Sequence, residues 1–208
     1  MKSKPINPPA SYKTKLARLR PTQMTVGYAE IALKRQEWRE RSAKEARHFL
    51  RDHRFPAICG PKGRFYITDH HHLGCALLEE KVVSVTVVLL ADLSHLPKDE
   101  FWIMMDYHQW AHPYDAQGRR RDFSAIPKSL QLLPDDPYRS LAAVVRRESD
   151  YPKDTTPFAE FLWADFFRRR IDSDLLRRHP KAALKRARQI ARSLEAAHLP
   201  GWSGIGKS

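Results

Sequence analysis

Cysteine is nearly absent: Cys59 and Cys75 are the two that occur in 208 residues. With no CxxC spacing they indicate neither a zinc ribbon nor a disulfide framework, and a reducing, cytoplasmic setting is expected. Long apolar runs are missing too. The longest, Val82 to Ala91, is too short to cross a bilayer, so no membrane span is expected. Met1 to Lys15 is polar, basic and proline-bearing, without the apolar segment of a secretory signal. No acid occurs before Glu30, no aspartate before Asp52, and no internal repeat is visible.

Positive charge is what the chain has in excess. Lys and Arg number 37 against 24 Asp and Glu, a formal charge of +13 with a pI near 10.0. That balance points to an anionic partner: nucleic acid, a nucleotide or acidic lipid. A hydrophobic content of 42% with five tryptophans supports a real core. The length suits one domain, or one domain with a helical appendage.

Residues 1–15, with Pro5, Pro8 and Pro9, read as a loose basic arm. Ser42-Ala43-Lys44-Glu45 is a capping box, and Ala46, Phe49 and Leu50 recur behind it at helical spacing, predicting a helix over 43–53. Phe55 to Cys59 reads as a strand, Gly60 to Gly63 as a turn and Arg64 to Ile67 as a second strand. Val82 to Leu90 alternates Val83, Val85 and Val87 with Ser84 and Thr86 as a strand. Pro97, with Asp99 and Glu100 behind it, opens a helix whose inner face is Phe101, Met104, Met105 and His108. Further helices are expected at Arg139 to Arg147, after Thr156-Pro157, and from Pro180 to His198. In the last, Lys181, Lys185, Arg188 and Arg192 share one face. Such a stripe is either a solvated surface or a track for a nucleic-acid backbone.

Chemistry concentrates at Asp69-His70-His71-His72-Leu73-Gly74, between a strand and a helix whose apolar positions are Leu73, Ala76 and Leu77. Asp69 is placed to cap that helix. Exposed amides and the positive end of the dipole make the first turn a seat for an anion, so His70, His71, His72, Leu73 and Gly74 are candidate ligands of phosphate or of a metal-bound phosphate. The plainer alternative is one histidine packed in the core and the others in solvent.

The order helix, strand, glycine turn, strand, polar cluster on a helix N-terminus, strand resembles the ParB/sulfiredoxin superfamily, and within it the branch described as ParB-like nucleases. At the matching point ParB partition proteins carry Gly-Glu-Arg-Arg and free serine kinases carry Asp-Gly-His-His-Arg; here the stretch is Asp69-His70-His71-His72. Leu19-Arg20-Pro21-Thr22-Gln23 resembles the first ParB box, adding Gln23 as an implied phosphate ligand. Asp135 to Leu141 and Phe158 to Asp165 resemble signatures of the nuclease branch. With histidines replacing the box arginines, cytidine-triphosphate switching does not carry over directly. No helix-turn-helix pattern follows residue 95, so sequence reading of the centromere type is not expected. Ile67 to His71 also resembles the DHH phosphoesterases, but those need earlier metal-binding aspartates that this chain lacks.

The expected fold is α+β: a small mixed sheet with helices over 16–95, then a mainly helical region over 96–208. The expected function is binding of nucleic acid or nucleotide phosphates (ATP, ADP or CTP) with metal-assisted phosphodiester hydrolysis by Mg²⁺ or Mn²⁺. Asp69, His71, His72 and Glu30 would be the catalytic residues, and an oligomer is compatible with this reading. Two alternatives are kept: a nucleotide-dependent kinase of the free-serine-kinase type, with Glu30 or Glu37 as the base, and a non-catalytic nucleotide- or DNA-binding adaptor.

Overall fold

The computed structural model describes residues 10–147 and 156–204. Among them the chain divides into two compact units, each assembled from separate segments. One holds the residues up to Met24, with Ile31–Pro113 and Arg121–Leu133; the other holds Thr25–Glu30, Tyr114–Arg120 and the chain from Pro134 onward. The boundary expected at residues 95 and 96 is therefore corrected, because the helix after Pro97 belongs with the sheet. The mixed α+β architecture is as expected. No described helix is long and apolar enough to cross a membrane.

The first unit is built on four strands: β1 (Ser11–Lys15), β2 (Phe55–Gly60), β3 (Arg64–Ile67) and β4 (Ser84–Asp92), in the order β1-β4-β2-β3. β1 lies antiparallel to β4, β4 parallel to β2, and β2 antiparallel to β3. Ser11–Lys15 thus forms an edge strand where the sequence suggested a loose arm; residues 1–9 of that arm lie outside the described residues. The parallel pair needs a crossover, which runs through β3 and helix α3 (His71–Glu79). Between Ala57 and Ile58 the register skips Leu90, which bulges out, is exposed, and adds local twist. Tyr12 of one edge strand and Phe65 of the other come within 5.7 Å, ring centre to ring centre, so the sheet curls on itself.

Two helices precede β2: α1 (Tyr28–Arg39), which the sequence left unassigned, and α2 (Ala43–Asp52), whose capping box forms as predicted. α4 (Lys98–Tyr107) buries Phe101, Trp102 and Met105 with Ile58, Ala111 and Ile126. Pro97 is its N-cap rather than its first residue.

The hairpin from β2 to β3 turns through Pro61, Lys62 and Gly63, with φ of 64° at both Lys62 and Gly63. That left-handed conformation is costly for lysine and tolerated by asparagine. Lys62→Asn is accordingly expected to raise stability by about 0.5–1 kcal/mol, measured by denaturant titration. An unchanged or lower midpoint would refute the account of strain.

The second unit gathers α5 (Pro137–Arg147), α6 (Ala159–Arg168), α7 (Ser173–Arg178) and α8 (Pro180–Ala191) around Leu141, Val145, Trp163, Phe167, Ala187 and Ile190. The expected helix over 180–198 stops at Ala191. Ser193 there donates its hydroxyl to the carbonyl of Ile190, and a 3-10 turn, Leu194–Ala196, follows. α6 starts two residues after Pro157, behind Phe158 at φ 60°.

Candidate functional site

In the first unit β3 delivers the histidine turn. Ile67 ends the strand, and the amide of Thr68 donates to the carbonyl of Pro56, fixing where the chain leaves the sheet. Asp69 is not the helix cap the sequence suggested. Its carboxylate accepts the amide of His70 at 2.6 Å, and His70 holds the N-cap position in a left-handed conformation (φ 66°) with no capping side-chain bond. The reason is local: an Asp accepting the very next amide closes too tight a ring to reach the helix's own amides.

Only His71 and His72 fall inside the first turn, and their environments differ. His71 is 4% exposed, and its Nε2 accepts the amide of Thr22 at 3.1 Å. A neutral imidazole accepting at Nε2 carries its proton on Nδ1. His71 is thus the packed core histidine of the plainer reading. His72 is half-buried. His70 is half-buried too, edge-on to Phe55 at 5.7 Å and 6.4 Å from His53. Leu73 and Gly74 are buried, and Gly74 has a packing reason. A Cβ there would come within 2.8 Å of the Leu130 side chain.

The segment Arg20 to Gln23 is strapped across this turn. Arg20 exchanges backbone hydrogen bonds with Phe65 and Ile67. The Thr22 hydroxyl donates to the carbonyl of Ile67 at 2.8 Å, and its own carbonyl accepts the amide of His112. Gln23, buried, is bridged to His112. The structure thus links His71 through Thr22 and Gln23 to His112, which the sequence reading missed because it lies far along the chain with no motif around it; His70 packs instead toward Phe55 and His53. Among the described residues no group of three or more His, Cys, Asp or Glu side chains is placed to hold a metal ion. Burial pushes the Cys75 thiol up to about 12, so it is inert at neutral pH.

Glu30 and the basic stripe belong to the second unit. Glu30 is buried and ion-paired with Arg147, whose guanidinium burial shifts downward. The two family-like signatures acquire structural roles here. Asp135 accepts the amide of Tyr28 at 2.7 Å and the Ser140 hydroxyl accepts that of Ala29 at 3.2 Å, closing the start of α1. Asp136 caps α5 by accepting the amide of Tyr138, and its other oxygen meets Arg168 at 2.5 Å. Arg168 also holds Asp165 at 2.8 Å and the carbonyl of Ala116 at 3.1 Å. Arg139 donates to the carbonyl of Thr25, lies 3.6 Å over the Phe161 ring and faces Glu160, which Arg146 also engages. These charges are satisfied by one another, which makes them staples between helices.

Lys181, Lys185, Arg188 and Arg192 line an open depression of about 300 Å³ together with Leu184 and Gln189. The opposite side of α8 buries Ala183, Ala187, Ile190 and Ala191. No acidic residue occurs in α8.

The curled four-stranded sheet with a polar cluster at the start of its crossover helix defines a ParB-like α+β protein. Residues 12–169 match the model of a family described as "Putative ParB-like nuclease", and the chain belongs to that family. It is similar to the crystal structure of protein Atu1540 from Agrobacterium tumefaciens, at 48% identity over 95% of this chain and 100% of that one, with a TM-score of 0.88. No curated protein matches the chain.

Proposed function

We propose that this protein binds nucleic acid without sequence preference, gripping the phosphate backbone with the basic face of α8. The observation that carries the reading is that depression, lined by Lys181, Lys185, Arg188 and Arg192 on a helix without acids. At 1.5 Å per residue the four span about 16 Å, roughly the axial rise of five base pairs. The overall charge of +13 acts in the same direction by drawing polyanions in.

Hydrolysis, the activity in the family's description, is outside this reading. It needs converging acid, base or metal-binding groups, and Glu30, Asp136 and Glu160 are already engaged by arginines. The kinase alternative asks Glu30 or Glu37 to take a proton from a substrate hydroxyl, and for Glu30, buried against Arg147, that is a poor task.

Fluorescence anisotropy on labelled duplexes of two unrelated sequences, over a range of salt, tests the proposal. Similar affinities are expected, with a steep loss as salt rises. Reversing all four charges to Glu should lower the slope of log affinity against log salt by roughly 0.9 for each phosphate that is no longer neutralised. An unchanged slope would leave the stripe as a solvated face.

A further inference from the structure

On a chain of net charge +13, α4 presents an acidic surface. Its inner side holds the buried Phe101, Trp102 and Met105. At 100° per residue, Asp99, Glu100, Ile103, Asp106 and Tyr107 fall within roughly a third of the helix circumference on the other side. All five are exposed, with Ile103 at 65% and Tyr107 at 78%. Two large apolar side chains thus stand in water, flanked by three carboxylates.

Local stability explains only part of this. Asp99 and Glu100 lie in the first turn, where acids suit the helix dipole. A β-branched and an aromatic residue are weak helix formers at solvent-facing positions. Partner binding would account for Ile103 and Tyr107, exposed as they are.

The chain itself carries a surface of the complementary kind. The depression on α8 surrounds an apolar residue, Leu184, with Lys181, Lys185, Arg188 and Arg192. The α4 face from Asp99 to Tyr107 is about 12 Å long, comparable with the 16 Å of the α8 face. We infer that the acidic face of α4 in one copy docks on the basic face of α8 in another, so that the protein self-associates head to tail. Different faces meet, so the contact is not limited to a dimer. Nucleic acid and the second copy would compete for α8. The inference stands without the nucleic-acid reading, since it concerns the protein alone.

The test is a charge swap on the full chain, read by sedimentation velocity in low salt without nucleic acid. Variant A carries D99K, E100K and D106K; variant B carries K181E, K185E and R188E. All six positions are partly or fully exposed, and circular dichroism melts check that both variants fold. Wild type should show concentration-dependent association that high salt abolishes. A and B alone should sediment as monomers, since each presents like charges on both faces. A mixture of A and B should associate again. In an unswapped background, Tyr107→Ala should weaken association at least tenfold. A wild type that stays monomeric at high concentration in low salt overturns the inference, as does association that persists in A or B alone, or a mixture that fails to recover it. Loss of self-association beside intact, salt-sensitive DNA binding would remove this inference and leave the proposed function standing; the reverse pattern would do the opposite.

Discussion

Arg168→Ala is expected to cost about 3–5 kcal/mol, the usual loss when one member of a buried ion pair is removed and the other left behind. The carboxylate left behind is Asp136, whose side chain is 2% exposed and which also caps α5. The melting temperature should fall by roughly ten degrees for a chain of this size. Arg169→Ala is the control. Arg169 also pairs with Asp165, at 2.6 Å, but is largely exposed, and surface pairs contribute at most about 1 kcal/mol. Equal losses in the two variants would overturn the assignment of Arg168 as the staple.

The pH dependence gives a second check. Burial holds the Asp136 carboxyl above its ordinary value, although Arg168 and Arg139 pull it down. A carboxyl raised in the native state contributes most when protonated, so its contribution is full at low pH and is lost as pH rises through the raised value. Deleting Arg168 removes a downward pull and raises the group further. The deficit of Arg168→Ala against wild type should therefore be largest at neutral pH and narrow as pH falls through the carboxylate range.

His71→Ala is expected to cost about 2–4 kcal/mol, combining the amide of Thr22 left without its acceptor and the cavity left by the ring. Hydrogen exchange should report the change at one atom: protection of the Thr22 amide should collapse in the variant. Asp69→Ala should cost about 1 kcal/mol, because the carboxylate is exposed and holds a single amide. A His71→Ala protein that melts like wild type would mean the ring does not pin the Arg20–Gln23 segment.

Local patterns carried much of the fold. Ser42 and Glu45 announced α2, Arg64 to Ile67 matched β3 residue for residue, and the spacing of Lys181, Lys185, Arg188 and Arg192 put them on one face. Each of these depends on residues within a turn or a strand of one another. What could not be read depends on distant pairings. Ser11–Lys15 becomes a strand because β4, far along the chain, offers it an open edge. His71 becomes a core residue because Thr22 and the strap from Arg20 cover it, and nothing within the histidine run marks which of the three is covered. The signature acids Asp135 and Asp136 likewise cap helices whose starts they reveal only when α1 is in place.

The weaving of the chain between its two units also bears on its synthesis. All four strands have left the ribosome once Asp92 is free, yet their unit still lacks Arg121–Leu133. Glu30 is translated early and pairs with Arg147, which is made much later. Such late, long-range pairings slow folding and lengthen exposure of unfinished surfaces. A nascent chain halted anywhere before α8 therefore holds at most one finished unit, and interrupted translation should yield targets for chaperones and proteases rather than a working half.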